Sequence, residues 1–209
     1  YANAAVDIEF EFPFGFKEIE GIHSRTDFDL RNHQEYSKKK QQYFDNDLDE
    51  NGKPYGNYIP YVVETSVGAD RLFLATLCNA YTEEEGTDAD GNPKIRTLLK
   101  LHTAVAPIKA AVFPLVKKDG LPEKAKAVFE LLRYDFNVVY EEKDAIGKRY
   151  TRQDLIGTPF CIAVDHQTLE DDTVTIRHRD TTEQQRVKIT ELPGIVGQAV
   201  SHRRVLEQL

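Results

Sequence analysis

Methionine and tryptophan are absent from these 209 residues, cysteine occurs only twice, and no apolar run approaches the roughly 20 residues that a membrane-crossing helix requires. No membrane contact is therefore expected. The scarcity of cysteine excludes a small scaffold stapled by disulfides. Cys78 lies in an apolar helical stretch and Cys161 in the apolar run Pro159–Val164, positions that suit buried free thiols in a reducing compartment. Basic charge is in deficit too: 27 Lys and Arg against 35 Asp and Glu leave a net charge of −8. That excludes a protein coating nucleic acid through bulk electrostatics and makes any such contact depend on a local basic patch. Walker A, GxSxG and GxGxxG sequences are missing, and His23, His33, His102 and His166 stand at no metal-ligand spacing from the cysteines. The sequence opens at Tyr1 with neither an initiator Met nor a basic-plus-apolar leader, so a longer parent protein is expected. The absence of Met and Trp has no physical account.

Hydrophobic residues make up 40% and charged residues 30%, the balance of a folded chain with room for one large or two small domains. From Val6 to Phe12 apolar and acidic residues alternate, predicting an antiparallel strand with Val6, Ile8, Phe10 and Phe12 on the dry face. Pro13-Phe14-Gly15 turns it. Phe16 to Ile22 predicts a second strand, with Glu18 and Glu20 on a shared face. Arg31 to Asn57 is polar, carries Lys38-Lys39-Lys40 ahead of an acidic tract, and reads as a long surface connection. From Tyr61 a strand puts Glu64 and Ser66 on one face. A Gly68 turn then opens a helix whose first turn presents Arg71 and whose buried face is Leu74, Leu77, Cys78 and Tyr81. Thr82 to Pro93 reads as a flexible acidic excursion, and the first domain ends at residue 104.

Residues 105–209 alternate in the α/β manner. Strands are expected at Ile108–Val116, Asn137–Tyr140 and Phe160–Val164. Helices are expected near 122–134 and 149–156, then a hairpin of Thr173–Arg179 with Gln185–Ile189 and a closing helix from Pro193.

Two stretches carry chemistry. In Glu18-Ile19-Glu20-Gly21-Ile22-His23-Ser24-Arg25-Thr26-Asp27-Phe28-Asp29-Leu30, paired carboxylates followed by an arginine suit a metal-bridged polyphosphate, since carboxylate oxygens take Mg²⁺ and Arg grips phosphate; an ordinary cross-strand ion pair is the alternative. In the second domain Lys148, Arg149 and Arg152 beside Tyr150, with Arg177-His178-Arg179 nearby, combine phosphate contact with a stacking surface; a solvated charged surface is the alternative.

The first stretch, together with Tyr61-Val62-Val63-Glu64-Thr65-Ser66 through Gly68-Ala69-Asp70-Arg71, resembles the segment up to and including motif 3 of the glycyl-tRNA synthetases of the homodimeric class II type. Ile146 to Phe160 is similar to the helix-to-strand step of synthetase anticodon-binding domains. The resemblance implies part of a class II antiparallel catalytic sheet over residues 1–104, followed over 105–209 by a three-layer α/β anticodon-binding domain with a mixed sheet. It implies ATP as substrate with Mg²⁺. Arg25 would hold the γ-phosphate, Glu18 would bind Mg²⁺ or the α-phosphate region with Glu20 behind it, and Arg71 would lie on adenine. Glu64 and Ser66 would read the glycine ammonium, and Lys148, Arg149 and Arg152 would contact tRNA(Gly). A cytoplasmic homodimer is implied for the intact enzyme. Motifs 1 and 2, which the resemblance also requires, do not occur in these residues, so activity of this chain alone is not expected. Thr65 departs from the proline of close relatives. A rival reading is a non-enzymatic, synthetase-like accessory protein that binds nucleic acid.

Overall fold

The computed structural model describes residues 1–87 and 91–207, which fall into two compact units, Tyr1–Cys78 and Asn79–Leu209. The first unit contains β1 (Ala4–Phe12), β2 (Gly15–Thr26), α1 (Phe28–Ser37), β3 (Tyr43–Leu48), β4 (Pro54–Tyr58), β5 (Val62–Val67) and the start of α2 (Ala69–Ala80). Its strands pair antiparallel, as the sheet β1-β2-β5 and the hairpin β3-β4.

The polar stretch 31–57, expected as a long surface connection, lies at the surface but carries the rest of α1, β3 and most of β4. The signal lay in aromatic pairing: Tyr43 faces Tyr58 across the hairpin with ring centroids 6.0 Å apart. Asp49 Oδ1 accepts the Asn51 and Lys53 amides at 2.9 Å to close its turn.

The dry face expected of β1 is only partly dry, because Phe12 is buried while Val6 is 63% and Ile8 42% exposed. Likewise the expected stripe of α2 is not sealed: Leu74 is 40% exposed and Tyr81 lies in the next strand, while Ala75 and Ala80 are the buried positions. Cys78 is half-buried, so of the two free thiols only Cys161 meets the expectation of burial.

The second unit opens with β6 (Tyr81–Thr87) and β7 (Pro93–Leu99), an antiparallel pair where a flexible excursion was expected. Residues 88–90 of that excursion lie outside the described residues. Here alternation is polar. Glu84 faces Arg96 directly in register, so opposite charges rather than apolar residues mark the strands.

There follow β8 (Ala110–Pro114), α3 (Leu121–Leu132), β9 (Val138–Tyr140), α4 (Ile146–Leu155), β10 (Phe160–Val164), α5 (His166–Asp171), β11 (Thr173–His178), β12 (Gln184–Lys188), α6 (Leu192–Val200) and α7 (His202–Leu206). Five strands form one sheet in the order β12-β11-β10-β8-β9, parallel among β10, β8 and β9 and antiparallel elsewhere. β8 and β10 are buried throughout, as central strands covered on both faces should be. Alternate residues of β8 serve opposite layers. Ala110 and Val112 join Leu121, Val128 and Val196 of α3 and α6, while Ala111 and Phe113 join Cys161 with Ile146 and Tyr150 of α4. This is the α/β patterning that alternation predicted and the mixed sheet with helices on two faces that the resemblance implied, and β10 has the predicted bounds. α5 and α7 were not foreseen, being too short to show a period.

The β6-β7 hairpin is bonded to the rest of the second unit. Arg96 donates from Nε to Asp154 Oδ2 at 3.0 Å and from Nη2 to the Arg179 carbonyl at 2.6 Å.

Gly157 ends α4 in a Schellman motif: the Thr158 amide donates to the Gln153 carbonyl at 3.0 Å and the Gly157 amide to that of Asp154 at 3.2 Å. Its φ is +79°, and a Cβ there would sit 2.8 Å from Leu101 Cδ1 and 3.1 Å from the Leu99 carbonyl oxygen. Gly157→Ala should lower the unfolding free energy by more than about 1 kcal/mol, read as a fall in the urea midpoint followed by far-UV circular dichroism. Gly147→Ala, inside α4 with no atom within 4 Å of the added Cβ, should leave the midpoint unchanged or raise it. Equal midpoints for the Gly157 variant and the parent would contradict this account of the turn.

Candidate functional site

The face shared by β2 and β5 is shaped by two irregularities in β2. Ile8 and Glu9 of β1 pair with Glu20 and Glu18, leaving Ile19 unopposed, and Ser24 and Thr26 pair with Val63 and Val62, leaving Arg25 unopposed. The bulge at Ile19 interrupts the alternation on which a shared face for Glu18 and Glu20 rested. A bulge re-aims its side chain. At Arg25 the effect is reinforced by Thr26, whose φ of 56° turns the strand into α1. Asp29, in the first turn of α1, is thereby folded back onto Arg25.

The Arg25 guanidinium is held along one edge by the Asp29 carboxylate, Nη2 donating to Oδ1 at 2.9 Å and Nε to Oδ2. Its remaining nitrogen, Nη1, lies 2.8 Å from Glu64 Oε2. The Tyr1 ring covers it, centroid 4.8 Å from Cζ. Hydrogen bonding to Asp29, foremost, raises the Arg25 pKa above its usual value, and bonding to Arg25 holds the Asp29 carboxyl below the usual carboxylate range.

Glu64 and Ser66 share a face of β5 as alternation requires, and Ser66 Oγ donates to Glu64 Oε1 at 2.9 Å. Opposite Ser66 in register stands Gly21, where a Cβ would come within 2.9 Å of His23 Cε1. The backbone there lies under the imidazole, whose buried Nδ1 has no hydrogen-bond partner among the described residues.

Arg71, in the first turn of α2, donates from Nη1 to the Glu18 carbonyl at 2.8 Å. It so reaches β2 through main chain and leaves the Glu18 carboxylate aside. Among the described residues that carboxylate has no ion pair, and Glu18 is exposed while Glu20 is half-buried. A single free carboxylate at an exposed position fits a Mg²⁺ that arrives with its own phosphate and water ligands. No group of three or more His, Cys, Asp or Glu side chains among the described residues could hold an ion unaided.

In the second unit the basic cluster divides. Lys148 is exposed. Arg149, 2% exposed, faces inward and donates from Nη1 to the Pro114 carbonyl at 2.6 Å and to that of Glu141 at 3.4 Å. Burial lowers its pKa. Arg152 is half-buried, bonding Glu141 Oε1 from Nε at 2.6 Å and Asp144 Oδ2 from Nη1 at 2.9 Å. The solvent-facing patch expected of all three is thus corrected: Arg149 serves to bind the end of β8 to α4. The hairpin arginines are corrected in the same way. Arg177 donates to both Asp154 oxygens at 2.9 and 3.1 Å, and Arg179 donates to the carbonyls of Gly157 and Leu101 at 2.6 and 2.7 Å.

Sequence reasoning overlooked Asp154, Arg96 and Asp29. An i+4 acid after Arg25 was a visible signal for Asp29, whereas the 58-residue separation of Arg96 from Asp154 left none. A cavity of about 570 Å³ lies over Arg96, Asp154 and Arg177, between β6-β7 and α4.

Comparison with known proteins bears on both units. Residues 109–198 match the family described as anticodon binding domain. The chain is similar to glycine–tRNA ligases of Treponema denticola (51% identical over 192 residues, 92% of this chain and 42% of the relative), Chlorobaculum tepidum (54% over 191, 91% and 38%) and Clostridium perfringens (53% over 196, 94% and 40%). It spans about two fifths of the length of these relatives. The resemblance drawn from the motifs is borne out. Among the described residues no helix is long and apolar enough to cross a membrane.

The inward guanidinium of Arg149 has a measurable consequence. Arg149→Ala strands the Pro114 carbonyl and should cost about 1–3 kcal/mol of stability, whereas Lys148→Ala on the same helix should leave the urea midpoint where it is. Two variants of equal stability would place Arg149 at the surface and contradict its described contacts.

Proposed function

We propose, from a chain that resembles the glycine–tRNA ligases over more than nine tenths of its residues, that it carries one wall of a glycine- and ATP-binding site and an anticodon-binding domain. The reaction would join glycine to ATP, releasing pyrophosphate and forming glycyl-adenylate, and then pass the glycyl group to tRNA(Gly). Residues 1–104 would belong to the catalytic domain and 105–209 to the domain that binds the anticodon.

The observation that carries the reading is the two-sided engagement of Glu64, Arg25 on one oxygen at 2.8 Å and Ser66 on the other at 2.9 Å. An acid and a hydroxyl side by side suit an ammonium, and an arginine beside them suits a phosphate. Glycine has no side chain to recognise, so selectivity would come from its ammonium and from crowding where a Cβ would go. Arg25 would take the γ-phosphate, Glu18 the Mg²⁺ that accompanies ATP, and Arg71, anchored on the Glu18 carbonyl, would lay its planar guanidinium on adenine. Catalysis of this kind works by positioning and charge stabilisation at the α-phosphate, with no protein nucleophile. In the second unit, Lys148 is exposed and Arg152 half-buried, which leaves both able to reach tRNA. The intact enzyme would be a cytoplasmic homodimer.

The test is glycine-dependent ATP–pyrophosphate exchange in the full-length protein that contains these residues. Arg71→Ala should slow exchange by about a hundredfold, the usual loss for one preorganised electrostatic contact. Ser66→Ala should raise the KM for glycine and leave that for ATP nearly unchanged. Parent-like kinetics in both variants would remove this face from the substrate site.

A further inference from the structure

Asp29 lies outside every set of residues so far given a role toward substrate. It takes the Nε–Nη2 edge of Arg25 with both carboxylate oxygens, one contact at 2.9 Å, and leaves Nη1 as the nitrogen turned toward Glu64. A guanidinium offers its donors as a rigid fork. Whichever edge an acid occupies therefore fixes where the other donors point. The Arg25 and Asp29 side chains retain 23% and 30% of their accessible surface, so the pair is neither sealed in a core nor loose in solvent.

Three features of the backbone serve this contact. Arg25 stands in a bulge, Thr26 has the positive φ that reverses the chain, and Asp29 follows in the first turn of α1, where the helix dipole favours an acid. Without Asp29 the guanidinium would be free to turn its fork on Glu64, its other acidic neighbour, occupying the carboxylate read above as the ammonium acceptor. An acid so near a phosphate site weakens the attraction for the anion. Its gain is orientation: one Arg25 donor stays directed into the cleft once Glu64 is engaged elsewhere.

We propose that Asp29 is a positioning residue, holding Arg25 in the orientation that contacts the terminal phosphate of ATP and limiting its engagement of Glu64 to the single donor Nη1. This rests on the reading of Arg25 as a phosphate ligand.

The experiment measures binding of ATP and of ADP, each with Mg²⁺, to the full-length parent, Arg25→Ala, Asp29→Ala and the double variant, by equilibrium dialysis. Asp29→Asn is added as a near-isosteric form that keeps the side-chain shape should the alanine variant fold poorly. If Asp29 acts through Arg25, the preference for ATP over ADP falls by about tenfold in Arg25→Ala and in both Asp29 variants, the loss expected of a misplaced charge-assisted hydrogen bond. The double variant then falls no further than Arg25→Ala alone. A merely structural lesion would weaken ATP and ADP alike and leave their ratio unchanged. An unchanged ratio in both Asp29 variants beside a reduced one in Arg25→Ala overturns the inference and spares the phosphate reading. Additive losses in the double variant overturn it by showing that Asp29 works independently of Arg25. An unchanged ratio in Arg25→Ala refutes the phosphate reading itself and the inference with it.

Discussion

The candidate site depends on how one guanidinium is shared between two carboxylates. Asp29 and Glu64 both bond Arg25, and they approach from different elements, one from the helix that follows the arginine and one from the neighbouring strand. A regular strand would not allow this. Alternation would send the side chain of residue 25 to the face opposite that of residue 24 and keep the register intact; the bulge instead spends one residue without a partner on β5 and gives Arg25 its own direction. Ser66 and Gly21 then follow from strand register: the hydroxyl bonds the second oxygen of Glu64, and the glycine opposite it leaves room for the His23 ring.

The second unit answers the same physical demand with the opposite result. Arg149, Arg177 and Arg179 are buried, and a buried guanidinium must find acceptors for its donors. Arg177 finds Asp154, while Arg149 and Arg179 find main-chain carbonyls at the ends of elements, where such oxygens lack partners of their own. Asp154 also takes Arg96 from β7, which is how the β6-β7 hairpin becomes part of this unit. Arginine thus stands half-buried between two carboxylates on the β2-β5 face and serves as internal mortar around α4. Composition cannot separate these uses, because the residue type is the same.

The legibility of the sequence follows that distinction. Apolar alternation revealed β8, β9, β10 and the β11-β12 pair, since covered strands must be apolar, and it placed Glu64 and Ser66 on one face. It failed for β3-β4 and β6-β7, whose pairing rests on tyrosines and on Glu84 facing Arg96. It also misjudged the basic cluster of α4. Lys148 and Arg149 are adjacent in sequence but a quarter-turn and more apart on a helix, so one faces solvent and the other the end of β8. Arg25, Arg71, Glu64 and Ser66 were named through family resemblance. What no motif conveyed was that Arg25 and Glu64 touch, or that Asp29 holds the arginine from behind.

The account stands on the claim that the β2-β5 face with the first turn of α2 forms a wall of the glycyl-adenylate site. Its most direct test is the structure of the full-length protein soaked with a non-hydrolysable glycyl-adenylate analogue. The account predicts the analogue's ammonium within hydrogen-bonding distance of Glu64 and Ser66, and its adenine ring against the Arg71 guanidinium. An analogue bound elsewhere, with the Arg25–Glu64 and Ser66–Glu64 contacts undisturbed, would contradict it.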